Sequence, residues 1–335
     1  MVNRSVTLIL VAVVALFAAT GANATSKAVL EAEIARHAAT GKTTVGVAAI
    51  HIQSGETVAV NGDKPFPLAS TYKVPMAAYA LHLVEQGELA LDQMIAVEGP
   101  DYVPWSPIAQ SFPHPGVSLS LLNLLEPMLI HSDNTATDVV LRTVGGGARL
   151  TGWLETIGID GLRVDRPTAD LIRDYLPMPP PDRADVSFAQ QFAARAATPQ
   201  AEPSLDQQRL FYDALKADPR DQGTPLAMAA LLHRIWTGGV LSDAHADILK
   251  AIMGRCLTGA ARLSGKLPAS VLPIAHKTGT IGGTVNDAGV ISLPDGAGDV
   301  VLVVFTSGSP ADDSSAYETV IAEVARSVYD YFLYR

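Results

Sequence analysis

Three short runs hold residue types that can do chemistry together. Ser70 and Lys73 stand three apart in "FPLASTYKVPMAAYAL", Phe66 to Leu81, just after Pro67 and at the head of an apolar run. Residues at i and i+3 share a helix face, so a hydroxyl and an amine would sit side by side at the helix start. Ser132-Asp133-Asn134 follows the helical run "LSLLNLLEPMLIH", and Lys277-Thr278-Gly279-Thr280 comes much later, at the end of an expected strand. A serine hydroxyl is a poor nucleophile until a neighbour takes its proton. Lys73 can take it if nearby cations lower its pKa, and Lys277 is such a cation. The Ser132 hydroxyl both donates and accepts, which suits a proton relay to a leaving nitrogen. Asn134 offers an amide to a substrate carbonyl. The Thr278 and Thr280 hydroxyls, with the Lys277 charge, suit a carboxylate. Ser-x-x-Lys alone is weak, and a plain helix cap is the bland alternative for Ser70.

These runs need elements to hold them. Lys27 to Ala39 reads as a helix, and Thr43–Gln53 and Thr57–Asn61 read as strands joined at Ser54-Gly55. From Ser70 to about Arg255 the periodicity is mainly helical, with amphipathic runs at Val74–Glu85, Leu119–Ile130, Thr135–Val144, Ala148–Ile157, Pro225–Trp236 and Ser242–Met253. The end of the chain turns β-branched, at Val271–His276, Val285–Leu293 and Asp299–Thr306, before a last helix at Ala316–Leu333. Strands at both ends with helices between predict an α/β (α+β) fold: one antiparallel five-stranded sheet flanked by terminal helices, with an inserted all-α lobe. The expected division is 25–63 plus 259–335 for the α/β lobe and 64–258 for the helical lobe. The cleft between lobes is the expected site. Leu176 to Ser204 is proline-rich and fits neither lobe; it is followed by a short helical run, Leu205–Ala217. It reads as a surface insertion or as a lid on the site.

Composition narrows the partners. The chain has 335 residues, and its net charge of −10 comes with no Lys/Arg-rich run, which argues against nucleic acid and anionic membranes. Residues 1–24 carry Arg4, an apolar segment Val6–Ala19 and a small-x-small end at Ala22-Asn23-Ala24, the pattern of a secretory signal cut after Ala24. The alternative is an uncleaved anchor. The expectation is a periplasmic or secreted monomer with no membrane contact after cleavage. Cys256 is the one cysteine, so no internal disulfide can form, and a buried small apolar role is expected for it. The eight histidines show no close metal-ligand spacing, so neither metal nor cofactor is expected.

The three runs occur in this order in serine β-lactamases and penicillin-binding proteins. "FPLASTYKV", "HSDNTATDVVL", "VGGGARLTGWLETIG" and "HKTGTIGGTVNDAGVI" each resemble class A β-lactamase segments, and the resemblance runs from about Leu30 to Leu333 apart from the proline-rich insertion. It implies a β-lactam-opening hydrolase with Ser70 as nucleophile and Lys73, Ser132 and Lys277 in catalysis. It implies an oxyanion hole from the backbone N–H groups of Ser70 and Thr280. It implies substrate binding by Asn134, Thr278, Gly279, Thr280 and Trp105, the last in "DYVPWSP"; simple packing is the alternative for Trp105.

Two departures stand out. The resembling family hydrolyses its acyl-enzyme with a glutamate on the Ω loop, helped by an asparagine. The corresponding stretch "RVDRPTADLI" places Thr168 and Ile172 there. Asp170 is the nearest candidate base, and Asp174, Asp182 and Asp185 are others in the insertion. The loop's far end falls at "DPRDQGTP", where Asp221 should pair with Arg166, so the enlarged loop spans about 163–224 and its insertion 173–217. The second departure is a missing carboxylate anchor: no arginine lies between Lys277 and Arg326. The acylation half looks complete and the turnover half does not. A D,D-peptidase or esterase-like enzyme and a non-hydrolysing penicillin-binding protein are therefore the competing readings.

Overall fold

A computed structural model describes residues 26–176, 178, 186–197 and 203–335; residues 1–24, Asp182 and Asp185 lie outside them. Helix α1 (26–40) leads into strands β1 (Thr44–His51) and β2 (Thr57–Val60). The C-terminal part supplies β3 (Ala275–Ile281), β4 (Thr284–Ser292) and β5 (Asp299–Ser307). The five strands lie in the order β2-β1-β5-β4-β3, every pair antiparallel. The two chain ends therefore meet at the β1–β5 ladder, with Val47 opposite Val304.

Both faces of this sheet are covered, and β5 shows why its sequence is apolar throughout. Side chains alternate across a strand, so a strand buried on both sides loses the usual polar alternation. Val300, Leu302 and Val304 pack with α1 and the C-terminal helix Ser314–Leu333, while Val301, Val303 and Phe305 pack toward the helical part. The five-stranded antiparallel sheet, its flanking terminal helices and the helical insertion are those expected from the sequence.

The helical part is built around α2 (Lys73–Glu85), ten of whose residues are buried, so it is apolar nearly all round rather than on one stripe. Around it lie helices α3 (Asn134–Thr143), α4 (Thr168–Tyr175), α5 (Phe188–Ala196) and α6 (Leu205–Ala217), together with Leu121–Ile130, Gly147–Thr156, Pro225–Trp236 and Asp243–Met253. Two differences from expectation bear on the site. The third motif is inside a strand and not at its end: β3 begins at Ala275, after Pro268 and Pro273, and runs through Thr278 and Thr280. Its ladder to β4 holds from Ala275↔Val290 to Ile281↔Thr284, closed by Gly282-Gly283. The second difference is α5, inside the proline-rich insertion. Ser187 and Gln190 cap it reciprocally, a capping box that stabilises a helix start.

The enlarged loop is pinned by charge. Arg166 is buried and donates to Asp221 at 2.6 Å, Asp174 at 2.6 Å and Asp218 at 3.0 Å. Asp221 also accepts the Asp165 and Arg166 backbone N–H groups. Burial pushes the Asp221 carboxyl up, and the Asp165 and Arg166 hydrogen bonds oppose that push. Removing the cation alone would leave Asp221 buried and uncompensated. Arg166→Met should therefore lower unfolding free energy by about 3 kcal/mol. Urea denaturation reads this directly, and an unchanged midpoint would show that the loop is held by something else.

Candidate active site

Ser70 lies in a 3-10 turn, Ala69–Tyr72, that runs directly into α2. Side chains three apart nearly eclipse in such a turn, which brings the Ser70 and Lys73 directions together. Two contacts fix the turn against the sheet. Asn286 of β4 donates to the Pro67 carbonyl at 2.9 Å and to the Leu68 carbonyl at 3.2 Å. Gly279 of β3 lies so close that a Cβ there would sit 2.7 Å from the Leu68 oxygen and 2.9 Å from the Ser70 nitrogen. Only glycine lets β3 approach the nucleophile's backbone this closely. Ala69 (φ 46°), Trp105 (φ 56°) and Ser132 (φ 60°) all hold left-handed backbone around the site. Such conformations are costly for residues with a Cβ and collect at functional sites.

Lys73 is fully buried. Its ammonium donates to the Ser132 carbonyl at 2.7 Å, the Ser132 hydroxyl at 3.1 Å and the Asn134 side-chain oxygen at 2.8 Å. Burial first, then the Lys277 charge, holds its pKa well below the ordinary lysine value, against opposing pulls from Asp133 and Asp138. Asn134 is oriented by its own donation to the Pro104 carbonyl at 2.8 Å. Asp133 holds the second motif in place: it accepts from the Ser106 hydroxyl, the Ile108 N–H and the Ala136 N–H, each at 2.8 Å. Lys277 is equally buried, donates to the Thr278 carbonyl, and has its pKa brought down by burial to about 8.

Behind Lys277, His276 bonds Asp287 at 2.9 Å. Burial disfavours the imidazolium, but Asp287 outweighs it and raises His276 to about 10. The Cys256 thiol beside it is brought to about 7: burial raises it, and His276 more than offsets this. Cys256 is half-buried rather than the buried small apolar residue expected, and its sulfur is 3.3 Å from the Thr258 hydroxyl. Thr258 in turn bonds Thr278 at 2.6 Å.

Ser70, Ser132, Asn134, Thr278, Gly279 and Thr280 line one cleft of about 590 Å³. Trp105 also lines it, with 58% of its surface exposed. Its ring packs tilted against Phe192 of α5, centroids 4.8 Å apart, while Phe188 of the same helix packs on Val103, Ala169 and Ile172. Helix α5 thus backs the cleft wall from behind Trp105 and Ile172 without lining the cleft itself. Tyr175 and Leu176 line the cavity too, and Tyr212 of α6 bonds Thr284 and Ser307 beside the end of β3.

Sequence reasoning did not find the arginine of this site. None lies between Lys277 and Arg326, but Arg262 precedes Lys277 and folds back against β3. Its guanidinium donates to the Thr280 hydroxyl at 2.7 Å, the Gly279 carbonyl at 3.2 Å and the Asn286 carbonyl at 2.9 Å, and pairs with Glu318 at 3.0 Å. It lies beside the third motif in space, and no spacing in "GAARLSG" announced it. Asp170 is exposed, paired with Arg173 at 3.3 Å, and is not among the residues lining the cleft. Asp174 is engaged by Arg166 and Arg220. Thr168 and Ile172 do line the cleft, at its α4 side. Among the described residues no group of three or more His, Cys, Asp or Glu could hold a metal, and no helix is long and apolar enough to cross a membrane.

Fold and site together define an active-site-serine hydrolase of the class A β-lactamase kind. Residues 28–332 match the model of the β-lactamase enzyme family, and the chain belongs to that family. It is 29% identical over 300 residues to the extended-spectrum β-lactamase PER-1 of Pseudomonas aeruginosa, covering 87% of this chain and 83% of that one. It is 31% identical over 288 residues to β-lactamase CTX-M-25 of Escherichia coli, covering 85% and 83%. The structure of an ancestral Gram-negative class A β-lactamase superposes with a TM-score of 0.72 at 32% identity, over 90% of this chain and 99% of that one.

Proposed function

We propose that this hydrolase opens the amide of a β-lactam through a covalent Ser70 ester. The observation that carries the reading is Lys73: a fully buried amine, held by the second motif and kept below its ordinary pKa beside Lys277. Neutral Lys73 takes the Ser70 proton, and Ser132 passes it to the leaving nitrogen. The close approach of Gly279 supports an oxyanion hole formed by the Ser70 and Thr280 N–H groups. Asn134 and Trp105 border the substrate side chain, and Lys277, Thr278 and Thr280 receive its carboxylate. The chain is exported in this reading, on the signal pattern of residues 1–24.

Arg262 supplies the carboxylate anchor in this reading. Arg262→Ala should weaken binding of a carboxylate-bearing substrate by roughly 10–100-fold, as for one charged hydrogen bond, with a smaller change in kcat. Steady-state kinetics on benzylpenicillin and its methyl ester separate the cases. Equal losses on both would place Arg262 outside the carboxylate site.

Thr168 and Ile172 favour a second reading, an acylating binder whose adduct persists, because neither side chain is a base. Intact mass of the protein over time in excess benzylpenicillin distinguishes the two. An adduct that appears and decays with product release supports the hydrolase; a permanent adduct supports the binder, and no adduct removes both.

A further inference from the structure

The cleft holds a hydroxyl, that of Thr168, at the position where the resembling family has its glutamate. Thr168 opens α4, and its hydroxyl lies 2.5 Å from the Tyr72 hydroxyl. Both residues line the cleft together with Ser70. Behind them is Asp138 of α3, buried, accepting the Thr168 N–H at 2.6 Å and the Ala169 N–H at 2.9 Å. The carboxylate sits at the start of α4, where the helix favours negative charge.

Other carboxylates nearby are committed. Asp133 is spent on the Ser106 hydroxyl and two backbone N–H groups. Asp170 and Asp174 pair with arginines away from Ser70. Among the described residues Asp138 is the buried carboxylate set directly against Thr168: it holds the Thr168 and Ala169 N–H groups, and the Thr168 side chain also acts on it.

We propose that Tyr72, Thr168 and Asp138 form a hydroxyl relay that positions the water attacking the Ser70 ester and carries its proton to Asp138. The proposal rests on the acyl-enzyme reading above. The water oxygen bonds to the acyl carbon and its proton goes to the Tyr72 oxygen. The Tyr72 proton moves to Thr168, and the Thr168 proton moves to Asp138. As the tetrahedral intermediate collapses, the bond to Ser70 breaks and its electron pair goes to the Ser70 oxygen. The proton on Asp138 returns through the same hydroxyls to that oxygen. The products are free Ser70 and the carboxylic acid, which loses its proton to solvent.

Protonation states agree with this direction. Burial, then the Asp138 charge, pushes the Tyr72 phenol well up, so it stays neutral and donates. Burial raises Asp138 to about 6, against the Ala169 N–H, the Thr168 hydroxyl and N–H, and Lys73, which lower it. A base near neutrality is the most effective. The titratable groups facing Asp138 are Tyr72 and Lys73, and Lys73 also feels Lys277 and Asp133.

The test measures acylation and deacylation separately, by quenched intact-mass time courses with benzylpenicillin, for the parent, Thr168→Val, Thr168→Ser, Tyr72→Phe and Asp138→Asn. Thr168→Val, Tyr72→Phe and Asp138→Asn should slow deacylation by roughly 10²-fold while acylation changes far less, and Thr168→Ser should keep most of the rate. Parent deacylation should rise with pH through about 6, and this rise should vanish in Asp138→Asn. A purely structural role for Asp138 would leave the profile in place. Deacylation at the parent rate in Thr168→Val and Tyr72→Phe overturns the relay and leaves the hydrolase standing; those two variants decide the matter if Asp138→Asn fails to fold. A parent that forms no Ser70 adduct, or one that never decays, overturns the hydrolase reading and the relay with it.

Discussion

Ser70→Ala should abolish covalent labelling by benzylpenicillin, with no mass increase at any time the parent shows one. The site contains a second candidate hydroxyl, Ser132, in the same cleft. It differs in its surroundings. The Ser132 hydroxyl already receives the Lys73 ammonium at 3.1 Å and sits on left-handed backbone. Ser70 has its own backbone N–H beside β3, where the oxyanion of its ester would form. Preorganised donors at that point typically contribute several kcal/mol to the barrier, and only a nucleophile at Ser70 can use them. The thermal midpoint of Ser70→Ala should stay close to the parent's, because the hydroxyl faces the cleft. An adduct persisting in the variant, mapped to Ser132 or elsewhere, would sink the assignment of the nucleophile.

How much of this was legible depended on which force fixes each part. β5 and α2 were readable because burial on all sides leaves an apolar run in the sequence. The three motifs were readable because their chemistry needs particular residue types at particular places. Gly279 illustrates this: its missing side chain is required by a contact between β3 and the Ser70 turn. What was hidden is what depends on tertiary placement. Arg262 lies before the third motif in the chain and reaches Thr280 only because β3 and the preceding turn fold together. Asp138 looks like one more polar residue in a helix until α4 sets its first N–H groups on the carboxylate. Helix α5 had a local signal, the Ser187–Gln190 capping box, but the prolines before it masked the periodicity. The β3 start was misplaced because Val271 is β-branched, whereas Pro268 and Pro273 keep the segment out of the ladder until Ala275.

Lys73→Ala should slow acylation by roughly 10²–10⁴-fold, the range for a positioned acid–base group. Lys73→Arg should be no better, although it keeps the charge, because a guanidinium does not give up its proton. The pH dependence follows from the direction of the shift. Burial and the Lys277 charge lower the folded-state pKa of Lys73, so the neutral amine is present at a lower pH than for an exposed lysine. Acylation by the parent should rise with pH through that lowered value, and the rise should disappear in both variants. Stability carries the same signature with its sign fixed. Between the lowered folded value and the ordinary value of 10.5, the unfolded chain binds a proton at Lys73 that the folded chain does not. Stability therefore increases with pH across that window. Lys73→Met removes this proton uptake, so its unfolding free energy should vary less with pH there than the parent's. Denaturation curves at several pH values measure it alongside stopped-flow acylation. A variant that loses acylation yet retains the parent's pH slope in stability would show that Lys73 is charged in the folded state, and the base would have to be sought elsewhere in the cleft.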